Sequence, residues 1–132
     1  MYGDVGDHDE IDPNPNGAFI IAGGILDLSW VDARSAVLYA AHFALDAAVP
    51  CETGAETVHM SGLEISGACD LVLAYEEAGV NAEVYLVPSV AGHTEFTDAQ
   101  RAEIYDGAAA FFFFNVVSPT DQLFVVPEAK PG

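Results

Sequence analysis

The sequence predicts an α/β fold, a short and mostly parallel sheet with flanking helices. Three observations carry that expectation. Ala18–Ala22 (AFIIA), Ala36–Ala41 (AVLYAA) and Ala82–Val87 (AEVYLV) are short, mostly apolar runs, and apolarity on both faces marks strands buried in a parallel sheet rather than half-exposed hairpins. Between and after these runs lie two stretches with helical spacing and helix-end signals. The resulting order, strand, loop, strand, helix, strand, loop, helix, is the alternation that builds parallel sheets through crossover connections.

Taken in order, Met1–Gly17 is acidic and broken by Pro13, Pro15 and Gly17, and reads as an irregular arm. The Ala18–Ala22 strand runs into Gly23-Gly24, a turn or close-approach signal, and Ile25–Val31 leads through Trp30 to a loop. The second strand, Ala36–Ala41, ends at His42. Residues 63–78 are expected to be helical: Leu63, Ile65, Cys69, Val72, Leu73 and Tyr75 supply its apolar faces, and Gly79 suits the left-handed position after a helix. The third strand stops at Pro88. Thr97 and Gln100 form a T-x-x-Q capping box, with Asp98 favouring the positive helix end. The helix they start reaches Phe111–Phe114, and four consecutive aromatics encircle a helix, so this end is expected to be buried on most sides or docked. The tail, residues 118–132, carries three prolines and a short strand-like run at Leu123–Val126. The domain reading is therefore an arm over 1–17, an α/β domain over 18–117 and a tail over 118–132.

Charge excludes several partners. Twenty-one acids against three bases (Arg34, Arg101, Lys130) give a net charge of −18. Such a surface repels phosphate backbones and anionic membranes, so neither nucleic acid nor membrane is expected as a partner. The longest apolar run, Ala108–Phe114, is far shorter than the roughly 20 residues a bilayer requires. The opening MYGDVGDHDE has neither a basic nor an apolar segment, so no signal peptide is expected within it. Cys51 and Cys69 allow either a pair of buried thiols or one disulfide, and they have no metal-ligand spacing.

The residues with chemical potential follow the strands. His42 to Pro50 reads H-F-A-L-D-A-A-V-P, so an acid, Asp46, follows the second strand. The third strand ends in Pro88 and leads to Ala91-Gly92-His93. This ordered set resembles the C-terminal half of α/β-hydrolase-fold serine esterases, in the dienelactone-hydrolase and prolyl-oligopeptidase-like branches. There a strand precedes H-G-x-x-D-x-x-V-P, then a helix ending near A-G-V (here Ala78-Gly79-Val80), a strand ending in proline, and G-x-G-H. The match spans roughly residues 18–115. The resemblance implies that Asp46 is the triad acid and His93 the general base, acting on a carboxylic ester without metal or organic cofactor. It also implies an extracellular setting for full-length members.

No G-x-S-x-G occurs in the sequence, so the nucleophile half of such an enzyme is absent and the chain alone is expected to be inactive. Two departures from the family pattern bear on geometry. Phe43 stands where the family has glycine, and the Pro88–His93 loop is one residue longer. Ser29, Ser35, Ser61, Ser66, Ser89 and Ser118 are the candidate substitutes for the nucleophile, none in a strand–elbow–helix setting. Two other classes of function stand beside the esterase: a non-catalytic binding or assembly module derived from a hydrolase, and a calcium-binding module using Asp4, Asp7, Asp9, Glu10 and Asp12, whose spacing is not that of an EF-hand. The Ala18–Ala22 strand would lack a neighbour, so a homo-oligomer or a complementing chain is expected as partner.

Overall fold

The computed structural model describes residues 15–57 and 61–117. Its centre is a three-stranded parallel sheet in the order β1 (Gly17–Ile21), β3 (Val37–Phe43), β6 (Ala82–Val87). Gly17 pairs with Val37 on one side of β3, and Phe43 pairs with Val87 on the other. β3 is buried along almost its whole length, and its alternating side chains serve two cores. Tyr39, Ala41 and Phe43 pack with Ile104, Ala108 and Phe111 of α2 (Asp98–Phe112). Leu38 and Ala40 pack with Ala68, Leu71 and Tyr75 of α1 (Ala68–Ala78). A helix on each face explains why the central strand reads as continuously apolar.

A second sheet departs from the expectation of mostly parallel pairing. β2 (Gly24–Ile25), β5 (Glu64–Gly67) and β4 (Thr53–Ala55) form an antiparallel sheet in the order β2-β5-β4. Residues 64–67, expected to open the first helix, are therefore a strand. The apolar spacing across Leu63–Tyr75 suited a helix, but Gly67 gives it no side-chain cap and instead allows close packing. A Cβ on Gly67 would lie 2.1 Å from the Pro50 carbonyl oxygen and 2.9 Å from the Cys51 Cα. Only glycine lets the segment after Asp46 pass this close.

That segment also caps α1. The Cys51 carbonyl accepts from the Cys69 and Asp70 N–H groups at 2.9 and 3.4 Å, a cap supplied by the chain before β4. Cys51 and Cys69 form a disulfide at the same point, with Cα atoms 5.0 Å apart, which resolves the two alternatives left by the sequence. At the other end Gly79 is left-handed (φ 78°) and the Val80 N–H reaches the Tyr75 carbonyl, a Schellman ending.

α2 begins with the expected capping box: the Gln100 N–H donates to Thr97 Oγ1 at 3.0 Å and the Thr97 N–H to Gln100 Oε1 at 2.8 Å. Its final turn widens to π geometry over Phe113–Val117. Of the four phenylalanines, Phe111 is buried and Phe112 packs edge-on against Phe19, while Phe113 and Phe114 are each 38% exposed. The encirclement by aromatics is thus half satisfied within the described residues. The acidic arm up to residue 14, with its carboxylate cluster, and the tail over 118–132 lie outside them.

Candidate functional site

β3 and β6 are parallel neighbours, so their C-terminal ends emerge at one edge of the sheet, the edge where open α/β sheets place their sites. The chain leaving β3 turns at once, the Asp46 N–H returning to the Phe43 carbonyl at 3.2 Å. Asp46 then folds its side chain over its own loop: Oδ1 accepts from the backbone N–H of Ala48 at 2.8 Å and of Val49 at 3.0 Å. This Asx-type turn fixes the carboxylate before it meets any partner. Its side chain is fully buried.

The second carboxylate oxygen faces His93. His93 Nδ1 lies 2.8 Å from Asp46 Oδ2, across 47 positions of sequence. With the carboxylate accepting, the proton of the neutral ring sits on Nδ1 and Nε2 carries the lone pair. The ring is about one third exposed (31%) while its partner is at 0%, so one end of the couple is locked and the other is open. Two contacts steady the histidine loop. The His93 N–H donates to Glu95 Oε1 at 2.8 Å, and hydrogen bonds from the backbone of this loop, chiefly that of His93, hold the Glu95 carboxyl below its ordinary range. Beneath the loop, Phe43 stacks on Phe96 with ring centroids 4.5 Å apart, and a Cβ on Gly92 would come within 2.8 Å of the Phe43 ring.

Phe43 therefore does not take the turn position that glycine holds in the resembling families. It stays in β3, buried, and among the described non-glycine residues only Ala22 has positive φ (57°). The bulk at position 43 is accommodated by the absence of bulk at position 92. The Pro88–His93 loop passes against that ring at Gly92 and delivers the imidazole to hydrogen-bond distance of Asp46.

A second histidine lies behind the acid. His42 is fully buried, and its Nε2 is 2.8 Å from the Val49 carbonyl and 3.5 Å from Asp46 Oδ2. The shorter contact assigns the proton to Nε2, donated to Val49. Nδ1 has no hydrogen-bond partner, so a proton placed there would be a buried donor left unsatisfied. His42 thus clamps the far end of the Asp46 loop. In the sequence His42 marks the end of a strand and opens the H-F-A-L-D-A-A-V-P stretch, and neither signals a clamp.

His93 opens onto a groove of about 480 Å³. Its apolar wall is Ala22, Leu26, Val49, Leu63 and Ile65, drawn from the end of β1, the acid loop and the small antiparallel sheet. Glu56 and Ser61 also line it. The Ser61 N–H donates to Glu56 Oε2 at 3.2 Å, and its hydroxyl donates to the same oxygen. Ser61 shares the groove with His93 but is committed to Glu56, and it sits on a loop before β5 rather than on a strand-to-helix elbow. Ser29 bonds to Asp27, Ser35 to the Asp32 N–H and Ser66 to Thr53. Ser118 lies outside the described residues. The groove itself had no sequence signal, since it depends on strands read as helix and loop.

Among the described residues no group of three or more His, Cys, Asp or Glu side chains is placed to hold a metal ion, and no helix is long and apolar enough to cross a membrane. Comparison with protein-family models, with curated proteins and with solved structures found no match.

Proposed function

We propose that the chain is the acid- and histidine-bearing part of a serine carboxylic-ester hydrolase of α/β-hydrolase type, with nucleophile and oxyanion hole supplied by polypeptide outside these 132 residues. The observation that supports it is the Asp46–His93 couple, 2.8 Å long and anchored on one side only, at the C-terminal edge of a parallel sheet. In that role His93 Nε2 takes the proton of the attacking serine, and the Asp46 carboxylate stabilises the imidazolium. The proton then passes to the leaving alcohol as the acyl-enzyme forms. Water, deprotonated by the same nitrogen, releases the acid.

A second reading, a binding or assembly module derived from such an enzyme, is favoured by β1. Among the described residues it lies at the edge of the sheet, with Phe19 and Ile21 each about 40% exposed (39% and 40%). Reconstitution separates the two. The chain is co-expressed with the segment encoded immediately upstream, and p-nitrophenyl butyrate turnover is measured. The esterase reading expects turnover that falls by about 10⁴-fold or more in His93→Ala and in Asp46→Asn. An upstream segment without an in-frame G-x-S-x-G, or turnover indifferent to His93, contradicts it.

A further inference from the structure

We propose that the groove beside His93 is a binding site for the alkyl part of an uncharged aliphatic ester, and that it discriminates against carboxylate-bearing analogues. The ester assignment rests on the hydrolase reading above; the preference for an uncharged apolar group rests on the groove alone.

The first argument is size and lining. At about 480 Å³ the groove falls within the range of small-molecule sites. Five of the side chains named for its wall are aliphatic, and two of them, Leu26 and Leu63, are each 56% exposed at its rim. Apolar surface left open in this way is offset by an apolar occupant. Glu56, Ser61 and His93 line the same groove as the aliphatic wall, so an ester whose alkyl chain lies on that wall shares the groove with the imidazole.

The second argument is charge. A carboxylate entering a partly desolvated groove needs a cationic partner. The two basic side chains among the described residues are held elsewhere: Arg34 bonds Asp32, and Arg101 bonds Asp98 and the Phe96 carbonyl. Instead the groove presents Glu56, which lies against any anion that enters. Ser61 holds Glu56 Oε2 in place, its N–H and its hydroxyl both donating to it. An uncharged group is the occupant that needs no counter-ion here.

The test is a titration of the ¹⁵N-labelled chain with hexyl acetate and hexanoate, followed by NMR. Each titration is run at about 0.15 M and about 1 M salt, because high salt screens the long-range field of the acidic surface and leaves short-range contacts in place. Hexyl acetate is expected to shift the amides of Ala22, Val49, Leu63 and Ile65. Hexanoate is expected to bind about tenfold more weakly or worse at both salt concentrations. Leu63→Glu and Leu26→Glu, both at exposed positions, should each weaken hexyl acetate by about tenfold. Leu73→Glu, equally exposed but lining a different groove beside α1, should not. Shifts centred on Leu73, hexanoate binding as tightly as hexyl acetate, or indifference to both groove variants would overturn the proposal. A chain that binds hexyl acetate as expected but lacks the Asp46-bonded His93 proton supports the groove and removes the esterase reading, so the two fail separately.

Discussion

Replacing Gly92 by alanine should dislodge His93 without touching either member of the couple. The added methyl carbon would sit 2.8, 2.9 and 3.0 Å from three carbons of the Phe43 ring, against an optimum of about 3.5–4.0 Å for carbon pairs. Relief therefore requires roughly 0.5–1 Å of movement by one side. Phe43 is poorly able to provide it, being 3% exposed and stacked on Phe96. The loop moves instead, and a shift of that size carries the 2.8 Å Nδ1–Oδ2 contact to or beyond the limit of a hydrogen bond. Overpacking of this kind costs about 1–3 kcal/mol, which for a domain of this size lowers Tm by roughly 4–11 °C. Urea and thermal melts of the oxidised protein give the stability term, and the His93 imidazole N–H resonance reports the couple. Phe43→Leu supplies the internal control: in that background Gly92→Ala should cost about 1 kcal/mol less than it does alone. An unchanged Tm with the His93 resonance retained in Gly92→Ala would refute the claim that the Phe43–Gly92 contact positions the histidine.

Three further outcomes are expected. The purified chain should hydrolyse no p-nitrophenyl ester above background, because loss of the serine alone costs about 10⁶ in triad enzymes; steady turnover abolished by His93→Ala would instead assign a nucleophile within the chain, with Ser61 the first to replace. Reducing the Cys51–Cys69 disulfide, which closes 18 positions of sequence, should destabilise the fold by about 3 kcal/mol and weaken the Cys51 cap on α1; a denaturation midpoint unchanged by reductant contradicts this. Self-association through β1 should strengthen with salt, since the −18 charge opposes it and is screened within about 10 Å at 0.1 M salt, whereas edge hydrogen bonds act at contact. Light scattering that finds a monodisperse monomer at both low and high salt would exclude it.

The parts of this fold legible in the sequence were those governed by local rules. Ala82–Val87 was bounded correctly because Pro88 ends it and the run is apolar. The Thr97 start was legible because a capping box is a four-residue signal. β1 and β3 were placed to within two residues at each end. The antiparallel sheet was not legible, because its determinants are non-local. β5 is a strand because Gly67 lies against Pro50 and Cys51, while Leu63–Tyr75 carries a helical apolar spacing throughout. The same holds for the groove, which forms only once β2 and β5 stand beside the histidine loop. The positions of Asp46 and His93 could be read from strand-end logic, since residues that follow neighbouring parallel strands share an edge. His42 as a clamp could not, because nothing local distinguishes a histidine that bonds Val49 seven positions on from one that faces solvent.

The most direct test of the account is the protonation pattern of the two site histidines at neutral pH, read from ¹H–¹⁵N imidazole correlations. His93 should carry its proton on Nδ1, as a slowly exchanging resonance well downfield that disappears in Asp46→Ala. His42 should show the opposite tautomer, protonated on Nε2 towards the Val49 carbonyl. A His93 ring protonated on Nε2, or a His93 signal indifferent to the loss of the Asp46 carboxylate, would contradict the couple on which the functional reading stands.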